Sequence, residues 1–211
     1  MNGYICVTKA KPYLLDKRQQ GRKFEIKTKG ELNKENDALP CRWPSSVASK
    51  ERERQIKTAL NGLVVASFEL SKIQELDFVV DEGTYNFYIA DGCPMSEIKK
   101  ILKESCLSDD ELISYGGGRA LFAWHIDGLE ILKDPLKITN FAVSDGNGGF
   151  KRMPRAPQSY CRVYGTYSSD GSLILFEDGP RIFLSVQPQW ACKILNGEKT
   201  IEIRHKAPKE E

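Results

Sequence analysis

The stretch Val186-Gln187-Pro188-Gln189-Trp190-Ala191-Cys192-Lys193-Ile194-Leu195-Asn196-Gly197-Glu198-Lys199-Thr200-Ile201-Glu202-Ile203-Arg204 decides how the rest of this chain is read. Residues 181–187 lead into it as a strand, with Ile182, Leu184 and Val186 on one face. Pro188 opens a helix and Asn196-Gly197 closes it, following the preference for proline at the start and glycine past the end. Alternation then resumes. Ile201 and Ile203 point into a core, while Thr200, Glu202 and Arg204 point the other way. Glu202 and Arg204 sit close enough for an ion pair that holds the guanidinium in one orientation. Lys199, at the helix-to-strand joint, reaches the same pocket. Such a cluster suits phosphate or base-edge recognition: arginine binds bidentately, lysine adds a point charge, and the carboxylate orients them or accepts protons. The plainer alternative is an edge strand with solvated charges.

Outward from that segment the chain alternates short strands with a few short helices. Residues 3–8 read as a half-buried strand, Ile5 and Val7 against Tyr4, Cys6 and Thr8, ended by Pro12. Residues 16–60 form a charged insertion, with a short hairpin around 23–28 and a helix over 49–60. Strands follow at 63–70 and 85–89, then a turn at Asp91-Gly92-Cys93-Pro94 and a helix over 96–104. Ser108-Asp109-Asp110-Glu111 is a capping box that starts a helix over 109–115. Gly116-Gly117-Gly118 ends that helix; it lacks the lysine and hydroxyl residue of a phosphate-binding loop. Residues 119–126 form an aromatic, apolar strand, with 128–132 as its neighbour. After a glycine-rich loop at 145–149 come a strand at 159–164 and a hairpin over 165–179 that turns at Ser169-Asp170-Gly171. The sum is one α+β domain spanning 1–211, a small mixed β-barrel with short flanking helices.

Composition narrows the function classes. The 31 Lys and Arg nearly balance 29 Asp and Glu, which argues against coating nucleic acid by charge alone but leaves room for a local basic patch. The six cysteines are scattered with no Cys-x-x-Cys pair, and there are two histidines, so no structural zinc site is expected and no cofactor is implied. Reduced, buried thiols suit a cytoplasmic protein. No apolar run approaches the roughly 20 residues that span a bilayer, and the N-terminus does not read as a signal peptide.

The segment closely resembles the opening of the activating-signal-cointegrator homology (ASCH) family. Its signature is a helix ending in Gly-x-Lys-x-x-Glu-x-Arg, matched here by Gly197, Lys199, Glu202 and Arg204. In that family the signature comes first in the chain, and here it comes last. Residues 4–9 resemble the family's next strand and 61–68 the following one. Tyr115-Gly116, Ala123-Trp124-His125-Ile126 and residues 155–161 resemble the C-terminal part of bacterial and phage members. The chain therefore reads as a circular permutation of one PUA-like ASCH domain, with 181–209 as the signature strand-helix-strand and 165–180 as the linker between the usual ends. Termini that lie close together on a compact domain make permutation physically reasonable.

The resemblance implies binding of RNA or a nucleotide-like ligand by Lys199, Glu202 and Arg204, with Lys9 brought close by the permuted order. Trp190 or Tyr115 would supply base stacking; Trp190 reads as core, on the helix face with Ile194. The competing class is a hydrolase of RNA or a modified nucleoside, an amidohydrolase or ribonuclease. Amidohydrolases of acetylated cytidine in the family use the signature lysine and a threonine three residues on. Glu202 stands there instead, which departs from that covalent mechanism and leaves Lys199 and Glu202 as an acid/base pair acting on water. Ser114, Tyr115 and Ser159 are candidate polar neighbours. His125, on an apolar strand, reads as a hydrogen-bonded core histidine, and His205 as facing away from Arg204. The sequence leaves the oligomeric state open, including a swap of the C-terminal segment between protomers.

Overall fold

The computed structural model describes residues 1–8, 60–80, 86–90 and 95–208. The charged insertion lies outside them apart from Leu60, as do Lys9, Lys11 and the turn at 91–94. The strands are β1 (Asn2–Val7), β2 (Leu63–Val80), β3 (Asn86–Ala90), β4 (Leu121–Lys137), β5 (Phe141–Ser144), β6 (Phe150–Arg152), β7 (Tyr160–Val163), β8 (Gly165–Tyr167), β9 (Leu173–Leu175), β10 (Arg181–Val186) and β11 (Ile201–Arg204). Among the described residues three short helices accompany them: α1 (Met95–Ser105), α2 (Asp109–Gly116) and α3 (Pro188–Leu195).

The main sheet runs β11-β4-β2-β1-β10-β7, with β3 added to the far end of β2; a second sheet runs β6-β5-β8-β9. β1 and β10 pair in parallel and the other pairs are antiparallel, so the curled main sheet is mixed and forms a half-barrel. Its curl comes from the β2–β4 ribbon, whose register slips at three places. Each slip puts one or more extra residues on one strand, which bends and further twists the pair. Gly128, at φ +53°, sits inside β4 in a conformation that a side chain disfavours. That local kink explains why 119–126 and 128–132 look like two neighbouring strands in the sequence, while the structure has one long strand through both.

Three cores fill the fold. The first packs Ile5, Val7, Phe68, Trp124, Leu184 and Val186 against Ala191 and Ile194 of α3. The second packs Leu76, Tyr88, Leu121, Ala123, Ile201 and Ile203 against α1 and α2. The third joins Tyr4, Cys6, Val64 and Phe183 of the main sheet to Phe141 of the small sheet. β1 thus feeds two cores, Ile5 and Val7 to one side and Tyr4 and Cys6 to the other. It is a central strand, buried on both faces rather than half-buried. The Ser108 capping box is formed, and Gly117 ends α2 in the left-handed region with its N–H on the Ile113 carbonyl. Residues 165–180 form β8 and β9 with a turn between them, closed by the Gly171 N–H on the Ser168 carbonyl. Among the described residues no helix is long and apolar enough to cross a membrane.

Candidate functional site

β11 lies at one end of the main sheet, yet all four of its residues are buried. Alternation still sorts them. Ile201 and Ile203 enter the second core, and Glu202 and Arg204 face the other way, opposite Trp124 and Phe122 of β4. Directly opposed residues share a face, so the charged pair looks toward the inside of the curl. The solvated-edge alternative does not hold: the half-barrel closes over these charges.

Lys199, Glu202 and Arg204 form a chain of alternating charge. Glu202 Oε2 is 3.3 Å from Lys199 Nζ, and Glu202 Oε1 is 2.9 Å from Arg204 Nη2. Removing three charges from water costs several kcal/mol each, roughly, unless each gains good partners. The partners come from three separate elements. Lys199 Nζ donates to the Ser105 carbonyl at 2.7 Å, at the C-terminus of α1, where exposed carbonyls and the helix dipole favour a cation. Its ammonium also lies 5.1 Å from the centre of the Trp190 ring, a cation–π contact. Arg204 Nη2 donates to the Ser185 carbonyl at 2.7 Å and Nη1 to Ser159 Oγ at 3.2 Å.

The arginine contacts close the fold. β11 starts the sheet order and β10 and β7 end it, so the guanidinium bridges the seam that backbone pairing leaves open. Tyr160 of β7 adds a second bridge, donating its hydroxyl to the Ala207 carbonyl at 2.7 Å. The joint before β11 is held by backbone bonds. The Glu198 and Lys199 N–H groups reach back to the Lys193 carbonyl of α3, and Thr200 N–H reaches the Glu104 carbonyl of α1. Lys199 is therefore placed by two helices before its side chain makes any contact.

The seam carries one more positive charge than negative. Its inner face also holds two buried donors without partners, Arg204 Nε and the Trp124 indole N–H. Trp124 is opposite Glu202 and packs edge-on against Tyr160, with ring centroids 4.9 Å apart. Buried donors are nearly always paired, and these two, on one face of the sheet, are not.

The other predicted site residues fall elsewhere. Ser159 does join the seam, through Arg204. Trp190 is half-buried against the first core and holds Lys199 from its ring face. Tyr115 does not meet the cluster; it stacks on His205, on the far side of β11, and Ser114 is exposed on α2. His125 faces α1, opposite Ile201, with Nε2 buried and unpaired. It is therefore not the hydrogen-bonded core histidine expected. Burial pushes its pKa down, aided by Lys72 and Lys100 and opposed by Glu104 and Asp127. Sequence reasoning missed the Ser105 and Ser185 carbonyls, which no side-chain pattern signals, and the Trp124 indole. Among the described residues no cluster of three or more His, Cys, Asp or Glu is placed to hold a metal, and Cys6, Cys106 and Cys161 are free thiols. No family model, curated protein or solved structure matches the chain.

Proposed function

We propose that the seam is the ligand site of a permuted, PUA-like ASCH-type module that binds RNA or a nucleotide-like molecule. The carrying observation is the pair of unpaired buried donors, Arg204 Nε and Trp124 Nε1, beside a cluster of net positive charge. A phosphate or the acceptor edge of a base supplies what those donors lack. Glu202 fixes the guanidinium so that its fork need not be ordered on binding. Binding is favoured over hydrolysis by the pairing itself. The lysine donates to a carbonyl and a carboxylate, and the glutamate accepts from two cations. Both are tied as fixed charges rather than held ready to move a proton.

Two conservative variants test this without emptying the core. Trp124→Phe removes one donor and Arg204→Lys removes the Nε donor while keeping the charge. Titrated against mononucleotides and single-stranded RNA, each is expected to bind about tenfold more weakly, the effect of losing one charge-assisted or buried hydrogen bond. Unchanged affinity in both, with thermal melting showing a folded chain, overturns the seam as the site. Acetate release from acetylated cytidine, lost in Lys199→Arg, overturns the choice of binding over hydrolysis.

A further inference from the structure

The small sheet ends on two unlike edges. β6 carries Lys151 and Arg152, charges of the kind that keep a sheet edge from pairing with another strand. β9, at the opposite edge, carries Leu173-Ile174-Leu175, all three exposed, with neither a charge nor a proline from Ser172 to Phe176. An edge without those safeguards is a template for a further strand.

The hairpin register decides which backbone groups that edge offers. The Phe176 N–H donates to the Tyr164 carbonyl, and the Ser168 N–H donates to the Ser172 carbonyl. Thr166 and Ile174, paired midway between, belong to the same hydrogen-bonded set. Leu173 and Leu175 fall in the alternate, non-bonded pairs, so their N–H and C=O groups point out of the sheet. Among the described residues nothing takes them.

We propose that β9 pairs antiparallel with β9 of a second copy, across a twofold axis at Ile174, joining two four-stranded sheets into one. Leu173 then exchanges both backbone bonds with the partner's Leu175, and Leu175 with the partner's Leu173. Their side chains meet on one face, and Ile174 meets its own counterpart on the other. Charge favours a second copy over an unrelated extended peptide. Arg152, Ala142, Gly165 and Leu175 are successive neighbours across the sheet, so Arg152 shares the face of the two leucines. Its guanidinium lies 4.0 Å over the Tyr167 ring, and Nη2 is 3.8 Å from where a Cβ on Gly171 would stand. The twofold register sets Gly171 opposite the partner's Glu177. Glu177 is exposed and has no partner among the described residues. The absent side chain at Gly171 leaves room for that carboxylate beside the guanidinium, and symmetry forms the ion pair twice. Asp170 and Asp178, which the register also opposes, are turned back into their own chain. Asp170 accepts from the Ser168 hydroxyl and the Ser172 N–H, and Asp178 accepts from the Asn2 amide and Arg181.

A three-residue edge buries far less than the area of a tight interface, so the expected dissociation constant is about 10–500 μM. Sedimentation velocity on the full chain, from about 5 μM to 1 mM, should show monomer passing to dimer. Over the same range, amide exchange at Leu173 and Leu175 should slow, while that of Ile174, bonded within the hairpin, stays unchanged. Leu173→Pro removes only an outward N–H, and Ile174→Lys sets two ammonium groups side by side at the axis. Each is expected to weaken the dimer at least about tenfold, with the melting temperature of the dilute monomer unchanged. Glu177→Lys should weaken it too, and adding Arg152→Glu to that variant should restore it. A chain that stays monomeric throughout overturns the proposal, as does a dimer that Leu173→Pro and Ile174→Lys leave intact. A dimer indifferent to Glu177→Lys overturns the twofold register. A peptide of residues 172–177 that binds a chain which never self-associates overturns the second copy and assigns the edge to a foreign strand.

Discussion

The seam and the β8–β9 hairpin invert the usual assignment of residues to inside and outside. At the seam Lys199, Glu202 and Arg204 are 3%, 7% and 9% exposed, while on β9 the run Leu173-Ile174-Leu175 is 37%, 56% and 50% exposed. Charge is inside and aliphatic surface is outside. The difference follows from partners. Each seam charge has a counter-charge, and the two cations have carbonyl, hydroxyl or ring partners besides, whereas β9 is the last strand of a small sheet with nothing described beyond it. At the seam, burial tracks the partners that Lys199, Glu202 and Arg204 find for most of their polar atoms, Arg204 Nε being left over, more than whether the groups are apolar.

The sharpest way to break that statement is to remove one member of the chain of charges. Glu202→Gln leaves two buried cations without their shared carboxylate, and the expected loss is about 3–5 kcal/mol of stability in urea denaturation. The companion triple variant, Lys199→Met with Glu202→Leu and Arg204→Met, removes all three charges. It is expected to cost less than the single change, because a buried ion cluster replaced whole by apolar side chains is often near neutral. If the triple variant is the worse of the two, the seam contributes more than completed charge pairing.

On the hairpin side, the weak point is a close backbone approach. A Cβ on Gly165 would lie 2.2 Å from the Ile174 carbonyl oxygen. Gly165→Ala must push β9 away from β8, with an expected cost of about 1–3 kcal/mol. Hydrogen exchange at Leu173 and Leu175 should rise while exchange in β11 stays unchanged. Faster exchange in both would mean that the two regions are mechanically one.

How much of this was legible in the sequence depends on the kind of interaction. Local signals carried: Pro188 and Gly197 bound α3, Ser108 and Glu111 made their capping box, and alternation sorted Glu202 and Arg204 from Ile201 and Ile203. The ion pair between Glu202 and Arg204 was legible for the same reason, since period two puts them side by side. Long-range closure was not. Nothing in Ser105 or Ser185 announces a carbonyl waiting for Lys199 or Arg204, because every residue has one. The long ribbon of β2 and β4 looks shorter and divided in the sequence, because its bulges break the period that defines a strand. Tyr115 was singled out for stacking, but its partner is His205, ninety residues on, and no spacing rule reaches that far.

Between the two extremes stand the histidines, buried in part and incompletely paired, and they make the comparison sensitive to pH. Burial lowers the pKa of both His125 and His205 below the ordinary value of 6.5, with nearby cations adding to it at each. The unfolded chain then binds protons that the folded chain refuses, so stability is full above about 6.5 and falls as pH drops through the lowered folded values. His125→Gln and His205→Asn should each flatten that decline in thermal melts taken between neutral and mildly acidic pH. A decline that both variants leave intact would assign it to groups outside these two sites.

The smallest expected effect is the most direct check on the hairpin. Ile174 is paired with Thr166 and more than half exposed, so Ile174→Thr keeps a strand-forming residue and removes little buried area. Its effect on the melting free energy should stay within about 0.5 kcal/mol, the usual range for exposed positions. Partnership rather than polarity decides burial only if this holds. A loss well above that range, at a protein concentration where the chain is monomeric, would mean that Ile174 is covered in the working fold. The apparent inversion would then be confined to the seam, where opposite charges hold one another inside the fold.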